Sequence, residues 1–121
     1  MDCYLILKKL KKSLYAWPFK TPVDPKALGI PEYLNIINEP MDLKTIEDCL
    51  KQGTYSHPSD FHRDIYKMLM NSYKFNQKNS DVFATTRDFE EDYLDLCKEA
   101  REGKLVGERK AKDDAAKSEK G

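Results

Sequence analysis

The sequence predicts an all-α domain folded as a four-helix bundle, with a long ordered loop between the first two helices. Apolar residues recur at helical spacing in four segments, and no segment shows the alternation of a strand. Five of the six prolines lie in one stretch, 16–41. The chain has 121 residues, 40% of them apolar and 35% charged, which suits one domain with a charged surface. Helices with one apolar stripe each bury it by packing together.

The first helix is predicted over residues 3–15, where lysines fall between apolar side chains spaced three or four positions apart. The stretch 16–41 cannot be one helix, because each proline removes a backbone donor and restricts the residue before it. It is nevertheless rich in large apolar residues, which disordered linkers lack. We therefore predict a packed loop with a short helix at 32–37, after Pro31. A loop of this length in a small domain is commonly functional.

The second and third long helices have recognisable boundaries. Asp42 is a good N-cap for a helix over 43–51, and Gly53 suits the stop of that helix. Pro58 fits the first turn of the next helix, whose apolar stripe continues to a predicted end near Asn76.

A polar turn at 77–81 leads into the last helix, predicted at 82–101. The segment 103–121 is charged, has almost no apolar residues and offers no core face, so we predict a disordered tail. The predicted domain therefore covers residues 1–102. Because the chain starts directly at a helix and ends in such a tail, we expect it to be one module of a longer protein.

Several function classes are disfavoured by composition. The 21 basic residues are balanced by 21 acidic ones, whereas a domain that binds nucleic-acid phosphates usually has a basic excess. No apolar run is long enough to span a membrane. No phosphate-binding loop, cofactor motif or metal-ligand spacing is present. We therefore predict neither an enzyme nor a metal or cofactor site.

The histidines and cysteines are predicted to have structural roles. His57 and His62 lack partners at metal-ligand spacing, so we expect one to cap a helix and the other to lie on its outer face. The three cysteines are odd in number and widely spaced, which does not fit a disulfide framework or a zinc site. We expect their free thiols to pack as small apolar groups. Free thiols are typical of a reducing compartment such as the cytosol or nucleus. They are Cys3, Cys49 and Cys97.

The charge is unevenly distributed along the chain. Residues 1–12 carry a net charge of +3, residues 13–101 a net charge of −4 and residues 102–121 a net charge of +1. The acidic central part favours a basic partner, such as a lysine-rich tail. A nucleic-acid-binding bundle remains an alternative because the first helix has a basic face. That face consists of Lys8, Lys9, Lys11 and Lys12.

Five short motifs follow one another in the loop and around the third long helix. They are Trp17-Pro18-Phe19, Pro22-Val23, Pro31-Glu32-Tyr33, Pro40-Met41-Asp42-Leu43 and Tyr73-Lys74-Phe75-Asn76. Each is weak alone, but their order and spacing over about residues 3–101 resemble a bromodomain. The resemblance implies a left-handed four-helix bundle that binds acetylated lysine without catalysis. It also implies a monomeric, nuclear module that reads acetylated peptides, above all histone tails, with no membrane or nucleic-acid partner.

The resemblance assigns a role to each matching position. Asn76 matches the residue whose side-chain NH₂ donates to the acetyl carbonyl, and Tyr33 matches the one that reaches this carbonyl through an ordered water. The remaining predicted pocket residues are Trp17, Pro18 and Phe19 at the rim, Val23, Leu28 and Ile30 in the loop wall, Met41 near the floor, Phe75 immediately before the asparagine and on the opposite side, and Val82 as the gatekeeper.

Structural roles are alternatives for several of these residues. Asn76 is also typical of a helix C-cap, because asparagine tolerates left-handed backbone. Trp17 and Phe19 fit core aromatics, and Tyr33 fits a buried tyrosine bonded to the backbone. Met68, by contrast, is predicted to belong to the core. A further alternative is a scaffold bundle that docks proteins through its surface.

Overall fold

A computed structural model describes residues 3–105 of the chain. The helices are α1 (Cys3–Lys11), α2 (Tyr33–Ile36), α3 (Leu43–Lys51), α4 (Pro58–Phe75) and α5 (Asp81–Arg101), with a 3₁₀ turn at Trp17–Phe19. Helix α1 packs on α3 and α5, and α4 packs on the same two helices. The four long helices therefore close a ring. No strand occurs between residues 3 and 105, so the predicted all-α four-helix bundle is confirmed.

The core lies where the apolar stripes of the four long helices meet. Its fully buried members include Ile6, Leu7 and Leu10 of α1, Ile46 of α3, Phe61, Ile65 and Leu69 of α4, and Phe89 and Tyr93 of α5. Truncating one such leucine or isoleucine to alanine typically costs about 2–5 kcal/mol. None of the helices within the described part of the chain is long and apolar enough to cross a membrane.

Helix α1 ends at Lys11, so the prediction that it extends to residue 15 is wrong. The N–H of Ser13 donates to the Leu10 carbonyl at 3.0 Å. This bond spans three residues instead of four, so the last turn of the helix is tightened. The Ser13 hydroxyl accepts from the Tyr15 N–H at 3.1 Å and donates to Asp92 of α5 at 2.6 Å. These bonds compete with continued helix. Leu14 therefore leaves the apolar stripe and is 86% exposed.

The predicted boundaries of α3 are confirmed. The Asp42 carboxylate accepts from the Thr45 N–H at 3.0 Å and from the Thr45 hydroxyl at 2.6 Å, which caps the helix. Gly53 follows the helix with a φ of +71°, a conformation that glycine adopts without steric cost. Its N–H donates to the Leu50 carbonyl at 3.3 Å and so satisfies one of the last carbonyls.

One histidine caps α4, and the other is not on the outer face that we predicted. His57 occupies the N-cap, and its N–H donates to the Asp60 carboxylate at 3.1 Å. His62 turns towards α5, where its Nδ1 contacts the Tyr93 hydroxyl, and this burial lowers the pKa of the imidazole. Polar side chains at a helix interface hydrogen-bond to the neighbouring helix. The spacing of apolar residues along one helix does not reveal such a partner.

The long loop is ordered and is packed on the bundle, as predicted. Phe19 is buried and lies against Phe89 of α5 with ring centroids 4.9 Å apart. Further along, the Ile30 N–H donates to the Pro25 carbonyl at 2.8 Å. The short helix predicted at 32–37 is α2.

The described part of the chain ends at Leu105, which is partly buried against the core. Residues 106–121 lie outside the described residues. The predicted division between a domain at 1–102 and a charged tail at 103–121 therefore stays a prediction.

Candidate functional site

A cavity of about 260 Å³ lies between the long loop, the C-terminal half of α4 and the first turn of α5. Fourteen residues line it, namely Trp17, Pro18, Phe19, Thr21, Val23, Leu28, Ile30, Tyr33, Met41, Met68, Ser72, Phe75, Asn76 and Val82. None of these side chains carries a charge. The wall is mostly apolar, and the few polar groups come from serine, threonine, tyrosine and asparagine.

The structure brings all eleven sequence-predicted site residues to this one cavity. It also adds Thr21, Met68 and Ser72. Met68 was predicted to belong to the core; it is buried there and also lines the cavity. Ser72 gave a signal that the sequence reading missed, because it is a polar residue on the apolar stripe of α4, one turn before Asn76. No comparable signal marks Thr21.

Asn76 stands directly after α4 and is held by Ser72. Its backbone N–H donates to the Ser72 carbonyl at 3.0 Å. Its side-chain Nδ2 donates to the same carbonyl at 2.9 Å and contacts the Ser72 hydroxyl at 3.2 Å. The backbone is extended, with a φ of −92° and a ψ of 147°. Tolerance of left-handed backbone is therefore not what this position requires, and the side-chain amide is the distinctive group.

Tyr33 faces the same cavity from the start of α2. It is 7% exposed, and its ring meets Phe75 edge-on with centroids 4.8 Å apart. Such pairs hold ring orientation beyond what burial alone provides. Burial raises the pKa of the Tyr33 hydroxyl, so this group stays protonated at neutral pH. It can therefore both donate and accept hydrogen bonds.

The rim combines anchored and exposed aromatic and aliphatic groups. Phe19 belongs to the core as well as the cavity wall, through its contact with Phe89. Trp17 and Leu28 are instead 57% and 63% exposed, so Trp17 is not a core aromatic. Both side chains therefore line the cavity while remaining largely accessible to solvent.

The loop segment that carries Met41 is tied to α4 by polar contacts. The Asn71 side chain donates to the Glu39 carbonyl at 2.8 Å. Lys67 lies 2.7 Å from the Glu39 carboxylate and 3.5 Å from Asp64, and the bond to Glu39 raises the lysine pKa. These contacts fix the chain two residues before Met41.

The cavity can bind an uncharged chain that has apolar length and one polar end. Desolvating an unpaired charge costs several kcal/mol, whereas a neutral amide is accepted if its carbonyl finds a donor. Among residues 3–105, no three side chains of histidine, cysteine, aspartate or glutamate come together as a possible metal site.

Comparisons with known proteins agree with this architecture. The chain is 42% identical over 82 residues to "Transcription factor GTE9" of Arabidopsis thaliana, which covers 68% of this chain and 12% of that protein. It is 46% identical over 78 residues to "Protein cbp-1" of Caenorhabditis elegans, a match that covers 64% of this chain and 4% of that protein. It is 42% identical over 77 residues to "Bromodomain-containing protein bet-1" of C. elegans, a match that covers 64% of this chain and 9% of that protein.

The chain thus spans only a small part of the length of each of these relatives. The family model described as "Bromodomain" matches residues 3–88, which include the 3₁₀ turn, the loop, α3, α4 and the start of α5. This match contains every residue that lines the cavity. The chain therefore belongs to the bromodomain family.

Proposed function

We propose that this domain binds acetylated lysine side chains of protein tails, and histone tails in particular, as a non-catalytic module. The observation that carries the proposal is the cavity itself, whose uncharged, mostly apolar lining includes a single side-chain amide, that of Asn76. In the proposed complex one hydrogen of Asn76 Nδ2 is donated to the acetyl carbonyl. Tyr33 reaches the same carbonyl through an ordered water.

Charge explains why acetylation would control binding. Acetylation converts the lysine ammonium into a neutral amide. An unmodified ammonium entering the slot would lose its hydration without meeting a carboxylate, because no lining residue is acidic. The amide presents a carbonyl acceptor, and a primary amide such as that of Asn76 donates to it without introducing a charge.

The expected affinity for one acetyl-lysine is low. Burying four methylenes and a methyl contributes about 4 kcal/mol at roughly 0.8 kcal/mol for each group. One net hydrogen bond to Asn76 adds about 1 kcal/mol. The total corresponds to a dissociation constant on the order of 0.1–1 mM. Residues flanking the acetyl-lysine, a second mark or a linked module would supply the rest.

Basic, acetylated tails are the partners that fit the charge of the domain. Residues 13–101 carry a net charge of −4, which favours a lysine-rich peptide. Histone tails have this composition and are found on chromatin, so the proposal includes a nuclear location. The domain acts as a monomer in this proposal, because a single chain supplies the whole cavity.

The geometry does not favour nucleic-acid binding by the basic face of α1. Lys11 pairs with Glu47 of α3 at 2.9 Å. Lys9 and Lys12 line a surface depression together with acidic side chains of α5. These acids are Asp92, Asp95 and Glu99. Neighbouring carboxylates reduce the positive potential that phosphate binding requires.

The experiment is a calorimetric titration of the domain with histone-tail peptides, each in acetylated and unacetylated form. Asn76→Ala is the test variant, and Asn79→Ala is the matched control in the exposed turn after α4. We expect heat only with acetylated peptides, abolished by Asn76→Ala and preserved by Asn79→Ala. Binding that ignores acetylation and survives Asn76→Ala would refute the pocket mechanism in favour of surface docking. The nucleic-acid alternative is tested by a separate titration with a DNA duplex, where it would give steeply salt-dependent binding.

A further inference from the structure

We propose that Ser72 and Thr86 are positioning residues that set which way the Asn76 amide faces. The inference rests on the proposed function, because it concerns the same asparagine. Ser72 lines the cavity on α4, whereas Thr86 is fully buried on α5 and does not reach the cavity. Both are hydroxyl residues on otherwise apolar stripes.

A continuous series of hydrogen bonds joins Asn76 to α5. Asn76 Nδ2 lies 3.2 Å from the Ser72 hydroxyl oxygen. That oxygen is 2.7 Å from the Thr86 hydroxyl oxygen. The Thr86 hydroxyl in turn donates to the Val82 carbonyl at 2.7 Å. The series ends in the first turn of α5, at Val82, which itself lines the cavity.

Counting hydrogens fixes the direction of every bond in this series. The Thr86 hydroxyl has one hydrogen, and it is committed to the Val82 carbonyl. Thr86 must therefore accept from Ser72, which uses the only hydrogen of the Ser72 hydroxyl. The lone pairs of Ser72 Oγ are left facing Asn76, and only the NH₂ end of an amide can donate to them.

Two acceptors on one residue therefore hold the NH₂ end of Asn76 towards α4. The Ser72 carbonyl is 2.9 Å from Nδ2, and the Ser72 hydroxyl is 3.2 Å from it. A flipped amide would place its own oxygen against both acceptors. We infer that one Nδ2 hydrogen is shared between the two oxygens as a three-centre bond, which is common at helix ends. The second hydrogen is then available to an acetyl carbonyl.

This arrangement gives Thr86 an influence on binding although it touches no ligand. Without the Thr86 acceptor, the Ser72 hydrogen is released and can turn towards Asn76, where it favours the flipped amide oxygen. Without the Ser72 hydroxyl, only the backbone carbonyl holds the amide. In either case a larger share of the free domain has the wrong amide orientation, and binding must restore the correct one.

The first measurement is made on the free domain by nitrogen–proton correlation NMR of the Asn76 side-chain amide. The variants are Ser72→Ala, Thr86→Val and Thr86→Ser, with Thr85→Val as the matched control, partly buried one position before Thr86. We expect solvent exchange of the Asn76 amide hydrogens to speed up about 2- to 12-fold in Ser72→Ala and Thr86→Val. Thr86→Ser, which keeps the hydroxyl, and Thr85→Val should match wild type. Unchanged exchange in Ser72→Ala and Thr86→Val would overturn the positioning role.

The second measurement is the affinity of the same variants for an acetylated histone-tail peptide, with thermal unfolding of each variant alongside. We expect Ser72→Ala and Thr86→Val to weaken binding about 2- to 12-fold, and Thr86→Ser to restore it. Ser72→Ala raises intrinsic helix propensity, so this variant is expected to fold. Equal binding by Ser72→Ala would mean that its hydroxyl does not position the amide, and tighter binding would mean that Ser72 competes with the ligand for the Nδ2 hydrogens; either result would overturn the proposal.

The two measurements separate this inference from the proposed function. A wild-type domain whose Asn76 amide is held but which binds no acetylated peptide would refute acetyl-lysine binding and leave the positioning role supported. A wild-type domain that binds acetylated peptides, with Ser72→Ala and Thr86→Val behaving as wild type in both assays, would refute the positioning role alone.

Discussion

The contact between Phe19 and Phe89 joins the rim of the cavity to the bundle, and its loss should loosen both. Phe19 comes from the 3₁₀ turn of the long loop, and Phe89 is fully buried on α5. The ring centroids are 4.9 Å apart, with an angle of 31° between the ring planes. The perturbation is Phe19→Leu, Phe89→Leu and the two combined, because leucine keeps an apolar side chain but removes the ring.

The expected cost follows from burial and from the ring contact. Truncating a buried phenylalanine to alanine costs about 3–5 kcal/mol, so replacement by leucine should cost about 1–2 kcal/mol for each single variant. A paired ring contact contributes about 0.5–1.5 kcal/mol beyond burial. Each single variant loses this contribution, whereas the double variant loses it only once. The double variant should therefore be more stable than the sum of the single losses predicts, by about 0.5–1.5 kcal/mol.

Urea unfolding of wild type and the three variants measures this coupling free energy. We also expect each single variant to weaken acetylated-peptide binding, because Trp17 and Pro18 form the rim next to Phe19 and would lose their anchor. Met70→Leu, at a half-exposed position on α4 away from the cavity lining, serves as the control for a generic apolar change. Additive losses, with a coupling free energy below about 0.3 kcal/mol, would refute the claim that the two rings hold the loop.

Two further predictions concern the helices that support the site. Asp42→Ala should lower the free energy of unfolding, measured by urea titration, by about 1–2 kcal/mol because it removes the α3 cap. Asp42→Asn, which keeps a capping oxygen, should lose much less stability. Equal losses in the two variants would contradict the capping role. His62 has a lowered pKa in the folded domain, so the unfolded chain takes up its proton first and stability falls as pH drops below about 6.5. Between about pH 7.5 and 5.5, His62→Gln should therefore lose less stability than wild type, and parallel pH profiles would argue against this linkage.

Much of the fold could be predicted because its signals are local. The cap at Asp42 and the stop at Gly53 each depend on a few neighbouring residues, and both are observed. The end of α1 could not be predicted in this way. There the Ser13 hydroxyl bonds to Asp92, a residue 79 positions away, and apolar periodicity alone continued the helix to Leu14.

For the candidate site, the sequence motifs supplied the residues and the tertiary structure supplied their arrangement. All eleven predicted residues line one cavity, although their roles in ligand binding stay predictions. Ser72 was missed because a serine on an apolar stripe has many explanations until its partner is known. Its partner, Thr86, lies on another helix, and only packing of α4 against α5 brings the two hydroxyls to 2.7 Å.

The sequence by itself determined the helices, the position of the long loop and the family to which the chain belongs. These properties follow from periodicity, capping residues and motif order, which are short-range features of the chain. Only the tertiary structure decided that the cavity has no charged lining residue and that Asn76 presents its NH₂ end to Ser72. The reason is physical: the orientation of a side chain depends on hydrogen-bond partners and neighbours that are distant in sequence and meet only when the helices pack.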